Sequence, residues 1–265
     1  MIGAILGDIV GSPYEFDNIK AKDFPLFSSR SVFTDDSVMT LAVADALMQY
    51  GREGDTDRFC EILVDTMHRY GAMYPDVGYG GRFLDWVTDP TRTEPYNSYG
   101  NGSAMRVSAV GWFADTLEET LDLAEASAAV THNHPEGIAG AVATAGAVYL
   151  AKTGASREEL REFVSHYYSL DFTLDEIRPT YRFTERCADT VPQAMQAFFE
   201  SENFEDAVRL AVSLGGDSDT VAAITGGVAE AFYGIPAHLR MTALAYLDEP
   251  LREIAIAFAE RFSTR

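Results

Sequence analysis

The sequence predicts an all-α fold. Nine segments place apolar residues at i, i+3 and i+4, the spacing that collects them on one face of a helix. Alternating runs of β-branched residues bounded by turn pairs, which are typical of strands, are nearly absent. With 47% hydrophobic and 12% aromatic residues among 265, the chain also has enough apolar material for a large buried core.

The predicted helices cover most of the chain. They span residues 36–50, 57–70, 117–130, 136–152, 157–168, 192–199, 204–213, 220–233 and 251–262. A further helix at the start carries Gly3, Gly7 and Gly11 at every fourth position, which places a smooth strip along one face. A glycine inside a helix costs about 0.5–1 kcal/mol relative to alanine, so close packing of backbones is the expected reason for the strip.

Two segments lack a helical pattern. Residues 71–105 carry five Tyr or Trp residues, three prolines and repeated glycines, and residues 171–191 contain Pro179, Tyr181 and Phe183. Long irregular segments inside a compact domain are often functional, so we expect both to form walls of a pocket. The candidate wall side chains are Tyr79, Phe83, Tyr99, Tyr181 and Phe183.

Composition limits the organisation and the partners. No repeat, low-complexity tract or Pro/Ser-rich linker interrupts the chain, so we expect a single domain over residues 1–265. The net charge of −21 argues against a nucleic-acid groove and against binding to an anionic membrane surface, because both need basic patches. The two cysteines show no CxxC pairing, and no signal peptide or membrane-spanning run is evident. These observations predict a cytoplasmic protein.

Two acidic clusters are the most informative feature of the chain. Asp35 and Asp36 follow Thr34, and Asp217 and Asp219 precede Thr220, each group at the start of an apolar helical stretch. Four carboxylates brought together would repel one another unless a cation neutralised them. Oxygen-only ligands suit Mg²⁺ or Mn²⁺ rather than zinc. If the fold joins the clusters, they offer enough oxygens for two metal ions.

Ordinary structural roles compete with this interpretation. Thr34 stands where an N-cap belongs, and acidic residues in a first turn are favoured by the helix dipole. Glu15 follows a turn and fits a solvated carboxylate equally well, and Asp8 in the first helix needs a partner of some kind. His132 either forms hydrogen bonds at a helix entry or contacts a ligand, and the residues alone leave both options open.

The motifs resemble those of the ADP-ribosylglycohydrolase family. Five markers stand in the family's order: GAILGDIVGSPYE at 3–15, FTDDSVMT at 33–40, YGNGSAMRV at 99–107, TH at 131–132 and GGDSDTVAAITGG at 215–227. The resemblance covers nearly the whole chain. It implies a compact orthogonal helical bundle with a binuclear metal cleft, holding two Mg²⁺ ions or, alternatively, Mn²⁺.

The resemblance also implies a role for individual residues. The implied metal ligands are Thr34, Asp35, Asp36, Asp217, Asp219 and Thr220, with Asp219 bridging the ions. Glu15 matches an acidic residue implicated in catalysis, and His132 matches a ligand contact. A loop that holds phosphates and ribose is matched by Ser98, Tyr99, Gly100, Asn101 and Gly102. One departure is Ser37, where many members have threonine, and the hydroxyl is retained.

The implied reaction is hydrolysis of the glycosidic bond between ADP-ribose and an acceptor, with release of ADP-ribose. The transition state of such a reaction resembles an oxocarbenium ion, and Asp36 or Glu15 is the expected acid or base. We also expect backbone N–H groups of residues 99–103 to face the pyrophosphate. The substrate partner is an ADP-ribosylated protein or a small conjugate. The sequence does not decide the linkage or the oligomeric state, for which a monomer is one option.

Two other functions compete with this one. An ADP-ribose-binding regulator without catalysis would not need six candidate metal ligands. A helical two-metal phosphohydrolase acting on nucleotides is a further alternative, but no His-Asp dipeptide of the kind those enzymes use occurs in the chain.

Overall fold

The computed structural model describes residues 1–52 and 55–262, and it confirms the all-α prediction. Fifteen α-helices, one 3₁₀ turn at Ser12–Tyr14 and no β-strand are found in these residues. In chain order, α1 to α15 are Ile2–Gly11, Asp35–Tyr50, Thr56–Met73, Gly81–Val87, Gly102–Met105, Ser108–Phe113, Leu117–Ala129, Pro135–Lys152, Arg157–Ser165, Leu174–Ile177, Cys187–Glu200, Phe204–Ser213, Ser218–Tyr233, Ala237–Tyr246 and Glu249–Phe262. Within this part of the chain, no helix is both long and apolar enough to cross a membrane.

The observed helices differ from the predicted ones in three ways. The helix predicted over 157–168 ends at Ser165, because the last N–H groups bond three residues back and tighten the chain into a turn. The helix predicted from Pro192 already begins at Cys187, one buried turn earlier. Short helices such as α4 and α10 interrupt both irregular segments, and α6 and α14 were not predicted. All six residues of α6 are buried, so it has no polar face to reveal its period.

Helices α1 and α13 pack against each other at the centre of the molecule. All ten residues of α1 are buried, and α13 is buried from Ser218 to Glu230. The glycine strip of α1 lies directly on the α13 backbone. A Cβ on Gly3 would overlap the carbonyl of Gly226, and one on Gly7 would overlap the carbonyl of Ala222. The strip therefore exists because the two backbones approach too closely for any side chain.

The buried carboxylate of Asp8 joins α1 to the start of α2. It accepts the backbone N–H groups of Thr34 at 2.9 Å and Ser37 at 3.1 Å. The hydroxyl of Thr34 donates to its other oxygen, Oδ1, at 2.7 Å, and the hydroxyl of Ser37 donates to Oδ2, which also accepts both N–H groups. Asp8 thus satisfies N–H groups that the first turn of a helix otherwise leaves without partners. The first turn of α2 is therefore the partner that the buried charge of Asp8 required.

Replacement of Gly7 by alanine should test the contact between α1 and α13. The added methyl group has no space beside the Ala222 carbonyl, so we expect Gly7→Ala to lower the free energy of unfolding by about 3 kcal/mol. Urea denaturation of the purified protein measures this change. Gly81→Ala is the matched control, because a Cβ there meets no atom within 4 Å, and it should change stability by less than about 1 kcal/mol. Equal stability of the two variants would contradict the close packing.

Candidate active site

The two acidic clusters meet in one cleft of about 550 Å³. The junction is direct, because the Thr220 hydroxyl donates a hydrogen bond to Asp36 at 3.2 Å. The side chains from the predicted site that line this cleft are Glu15, Asp35, Asp36, Ser98, Tyr99, Gly100, Asn101, Gly102, His132, Asp217, Asp219 and Thr220. Thr34 is the exception, since it stands next to the cleft without being one of its lining residues. Tertiary structure therefore brings together residues that lie nearly 200 positions apart.

The first cluster combines a helix cap with free carboxylate oxygens. Thr34 is the N-cap of α2, as its position in the sequence predicted, and its oxygen accepts the N–H of Asp36 at 3.4 Å. Its hydroxyl hydrogen is already donated to Asp8. Asp36 is buried, and its Oδ1 has no hydrogen-bond partner among the described residues. A buried carboxylate oxygen without a partner is costly unless a cation or an ordered donor meets it.

The second cluster is shaped by two glycines and by Asn18. Gly215 and Gly216 have φ angles of +64° and +73°, which turn the chain so that α13 starts at the cleft. The amide of Asn18 accepts the N–H of Gly216 at 2.8 Å and donates to its carbonyl at 3.1 Å. The same amide donates to the carbonyls of Tyr14 and Glu15 at 2.7 and 2.8 Å. Asn18 therefore holds the Glu15 turn against the Gly215-Gly216 turn.

These turns place Glu15 beside the second cluster. Oxygens of Glu15, Asp217 and Asp219 all lie within 4.8 Å of one another, a separation that a shared cation can bridge. Asp217 also accepts the side-chain amide of Asn101 at 2.7 Å, and Asp219 accepts the N–H of Thr220 at 3.0 Å. The geometry thus groups Glu15 with the candidate metal ligands, although the sequence indicated only a catalytic role for it.

Burial and mutual repulsion raise the pKa values of these carboxyl groups. The pKa of Glu15 is raised to about 7, first by burial and then by the negative charge of Asp217. The pKa values of Asp35, Asp36 and Asp219 are raised well above the usual range, again mainly by burial. Without a cation the cleft cannot hold all of these charges at neutral pH. The unpartnered oxygen of Asp36 and the oxygen-only donor set fit a hard divalent ion.

The Gly-rich loop and His132 form another part of the cleft lining. The Nε2 atom of His132 faces the loop, because a Cβ on Gly102 would lie 3.2 Å from it and one on Gly100 would lie 3.5 Å away. Its Nδ1 atom contacts the Thr131 hydroxyl at 2.8 Å. Burial, followed by the charges of Arg106 and Arg82, holds the pKa of His132 well below 6.5. His132 is therefore a neutral imidazole with one nitrogen at the cleft.

His134, which lies two residues after His132, has a different role. The Nδ1 atom of His134 accepts the N–H of Glu136 at 3.1 Å and caps α8. The hydrogen bond at the helix entry that the sequence offered for His132 is therefore made by His134, whereas His132 lines the cleft.

Several lining residues were not predicted from the sequence. Of the five aromatic candidates, Phe83, Tyr99 and Phe183 line the cleft, whereas Tyr79 and Tyr181 are not lining residues. The arginines Arg82, Arg106 and Arg186 also line it, as do Tyr96 and Glu185. The only available signal was the occurrence of arginines near irregular segments of a strongly acidic chain, which does not say where they point.

Comparison with known proteins identifies the family. A family model described as ADP-ribosylglycohydrolase matches residues 1–265. The chain belongs to this family. Its relatives include mouse (Mus musculus) ADP-ribosylhydrolase ARH3, 27% identical over 315 residues that cover 89% of this chain and 83% of the relative. ADP-ribosylarginine hydrolase Tri1 of Serratia proteamaculans is 28% identical over 267 residues, covering 88% and 70%.

A solved structure shows the same architecture. The chain of an ADP-ribosylglycohydrolase-related protein complex superposes with a TM-score of 0.70 at 26% sequence identity. The match covers 98% of this chain and 96% of that chain. As a member of this family, the protein is an ADP-ribosyl hydrolase, an enzyme class that breaks glycosidic bonds.

The raised pKa values predict how stability depends on pH when divalent ions are removed. An unfolded chain releases the Glu15 proton near pH 4.5, but the folded cleft retains it up to about pH 7. Between these values the folded state binds more protons, so the free energy of unfolding falls as the pH rises. In the presence of a chelator, we therefore expect the melting temperature to decrease from pH 4.5 to pH 7.

The variant Asp217→Asn should make this decrease shallower, because it removes one of the repelling charges. Asp65→Asn is the matched control, since Asp65 is an exposed carboxylate on α3. Differential scanning fluorimetry at several pH values measures the effect. A melting temperature that stays constant or rises over this range would contradict the electrostatic account of the cleft.

Proposed function

We propose that the protein hydrolyses the glycosidic bond between ADP-ribose and an acceptor and that divalent metal ions, two Mg²⁺ or alternatively Mn²⁺, are required. The observation that carries the proposal is the meeting of both acidic clusters in one cleft, which the Gly-rich loop and His132 also line. The family assignment supports hydrolysis of an ADP-ribose conjugate. The metal, its number and the roles of individual residues are parts of the proposal.

The candidate metal ligands come from both sides of the cleft. We assign the ions to Asp35, Asp36, Asp217, Asp219 and Thr220, with Glu15 close enough to contribute. The oxygen of Thr34 is a weaker candidate, because it already caps α2 and donates to Asp8. When bound, such ions would neutralise the carboxylates and provide Lewis acidity for a water molecule and the ribose hydroxyls. Carboxylates from two separate clusters are the reason to propose two ions.

Glu15 is the better of the two candidates for proton transfer. In the metal-free cleft, burial and then the charge of Asp217 raise its pKa to about 7, so it can exchange a proton near neutral pH before an ion binds. It is also only half-buried and lines the open part of the cleft. Asp36 is buried and accepts the Thr220 hydroxyl, so it is better suited to holding a cation. We therefore assign Glu15 as the acid or base.

An exposed aromatic pair offers a binding surface for the acceptor, the group to which ADP-ribose is linked. Phe16 directly follows Glu15 and is 85% exposed, and its ring stacks on Phe183 with 6.0 Å between centroids. Phe183 is 45% exposed and lines the cleft. Exposed apolar rings beside a catalytic group are suited to contact with a bound partner. We assign this pair to the acceptor of the scissile bond, whether that acceptor is a protein side chain or a small conjugate.

The central test is release of free ADP-ribose. The protein is incubated with arginine-linked, serine-linked, nucleobase-linked and acetyl conjugates, in Mg²⁺, in Mn²⁺ and in chelator, and products are separated by chromatography. We expect metal-dependent release of ADP-ribose from at least one conjugate. The double variant Asp35→Ala, Asp219→Ala should reduce the rate on the order of 10³-fold or more, because charges at the transition state lose their partners.

Asp65→Ala is the control for this double variant and should retain full activity. Release of inorganic phosphate instead of ADP-ribose would favour the two-metal phosphohydrolase. Tight binding of ADP-ribose without any release would favour the regulator. An unchanged rate in the double variant would show that the acidic clusters do not serve the reaction.

The aromatic pair gives a separate prediction about the acceptor. Phe16→Ala should raise the KM for an ADP-ribosylated peptide about 10-fold, because stacking and apolar contact with the acceptor are lost. The dissociation constant of free ADP-ribose, which lacks the acceptor, should change less than about two-fold. Met241→Ala is the control, because it removes another exposed apolar side chain, 71% exposed on α14. It should change neither the KM for the peptide nor the dissociation constant of ADP-ribose. An equal loss of affinity for free ADP-ribose would place the pair at the nucleotide instead.

A further inference from the structure

The cleft must accommodate a dianionic pyrophosphate in a chain with a net charge of −21. Backbone N–H groups of the Gly-rich loop were the expected partners. Two of them are already used within the protein: the N–H of Gly100 donates to the Ser98 hydroxyl at 3.1 Å, and that of Asn101 donates to the Glu185 carbonyl at 2.7 Å. Loop N–H groups carry no net charge, so a cationic side chain beside the loop would offset the negative charge of the pyrophosphate.

Two of the three arginines that line the cleft have other partners. Arg106 is 1% exposed and donates to the Ser127 carbonyl at 2.8 Å and the Thr131 hydroxyl at 2.9 Å. Arg186 forms a two-pronged pair with Glu136, at 2.9 and 3.1 Å, and lies 3.5 Å from Asp189. Arg106 is thus held by Ser127 and by Thr131, which also contacts His132, and the charge of Arg186 is balanced by carboxylates.

Arg82 differs from Arg106 in being exposed and from Arg186 in having no carboxylate partner within the part of the chain that the structure describes. It is exposed in the first turn of α4, and no carboxylate of the described residues lies within ion-pair distance of it. Its guanidinium group lies over the Tyr96 ring, 4.9 Å from the centroid, and donates to the Tyr96 carbonyl. These contacts orient the group and leave several N–H donors available, which is how arginine is prepared for binding phosphate.

The neighbours of Arg82 place it next to the Gly-rich loop. The Tyr96 ring that it covers lies 6.0 Å from the His132 ring. His132 in turn faces Gly100 and Gly102. Arg82, His132 and the loop are therefore neighbours in the lining of the cleft that the carboxylates also line.

We propose that Arg82 is a substrate-binding residue that recognises the pyrophosphate of ADP-ribose from its position beside His132 and the Gly-rich loop. This inference rests on the proposed function, because it takes ADP-ribose as the ligand. The guanidinium group supplies the positive charge that the loop amides cannot, and its planar fork matches two phosphate oxygens. Arg82 thereby allows an acidic protein to bind an anionic nucleotide.

Isothermal titration calorimetry of Arg82→Gln and Arg82→Lys, at fixed Mg²⁺ concentration, tests the inference. The probes are ADP-ribose and adenosine, which has no phosphate. We expect Arg82→Gln to weaken ADP-ribose binding about 10- to 100-fold, while adenosine binding changes less than about two-fold. Arg82→Lys should recover part of the affinity, because it keeps the charge but not the fork. Arg58→Gln, which removes an exposed arginine paired with Glu61 on α3, is the charge-matched control and should bind both probes normally.

The outcomes separate this inference from the proposed function. Wild-type affinity for ADP-ribose in Arg82→Gln overturns the role of Arg82 alone, as does an equal loss of ADP-ribose and adenosine binding. Failure of the wild-type protein to bind ADP-ribose overturns both proposals. If Arg82→Gln does not fold, as judged by its melting temperature, full ADP-ribose affinity in Arg82→Lys would still contradict recognition by a planar fork.

Discussion

The close contact between α1 and α13 is the constraint on which the rest of the structure depends. Because Gly3 and Gly7 present no side chain, the two backbones meet along nearly the whole length of α1. Near the end of α1, Gly11 lies against the backbone of Asp219, so the turn that follows is delivered to the second acidic cluster. Glu15 therefore reaches Asp217 and Asp219 as a consequence of helix packing at the centre of the core.

Buried polar contacts then hold the cleft against its own repulsion. Asp8 receives the first turn of α2, and Asn18 joins two turns that lie 198 positions apart. Both side chains replace hydrogen bonds to water with several short protein hydrogen bonds, which is the condition for placing polar groups inside a core. These hydrogen bonds thus hold the carboxylates together despite their mutual repulsion, and a bound cation would reduce that repulsion.

Both carboxylates and arginines line the cleft, and this mixture relates it to its proposed ligand. Carboxylates from α2 and α13 suit metal ions and the reacting sugar, whereas Arg82 and neutral His132 stand on the side of the Gly-rich loop. The aromatic rings of Phe16 and Phe183 are exposed beside Glu15. In the proposed function, these three chemically distinct regions serve three parts of an ADP-ribose conjugate. The overall charge of −21 gives no hint of this separation.

The sequence by itself determined the helical class, nearly all of the long helices and the residue types of the site. Helical periodicity, the glycine strip and the hydroxyl–carboxylate clusters are local patterns, and local patterns can be read along a chain. Only the tertiary structure decided that Thr34, the predicted N-cap of α2, also donates to Asp8, that Glu15 joins the second cluster, and that Arg82 lines the cleft. Those properties depend on contacts between distant segments, and the direction of an exposed side chain such as Arg82 leaves no periodic trace in the sequence.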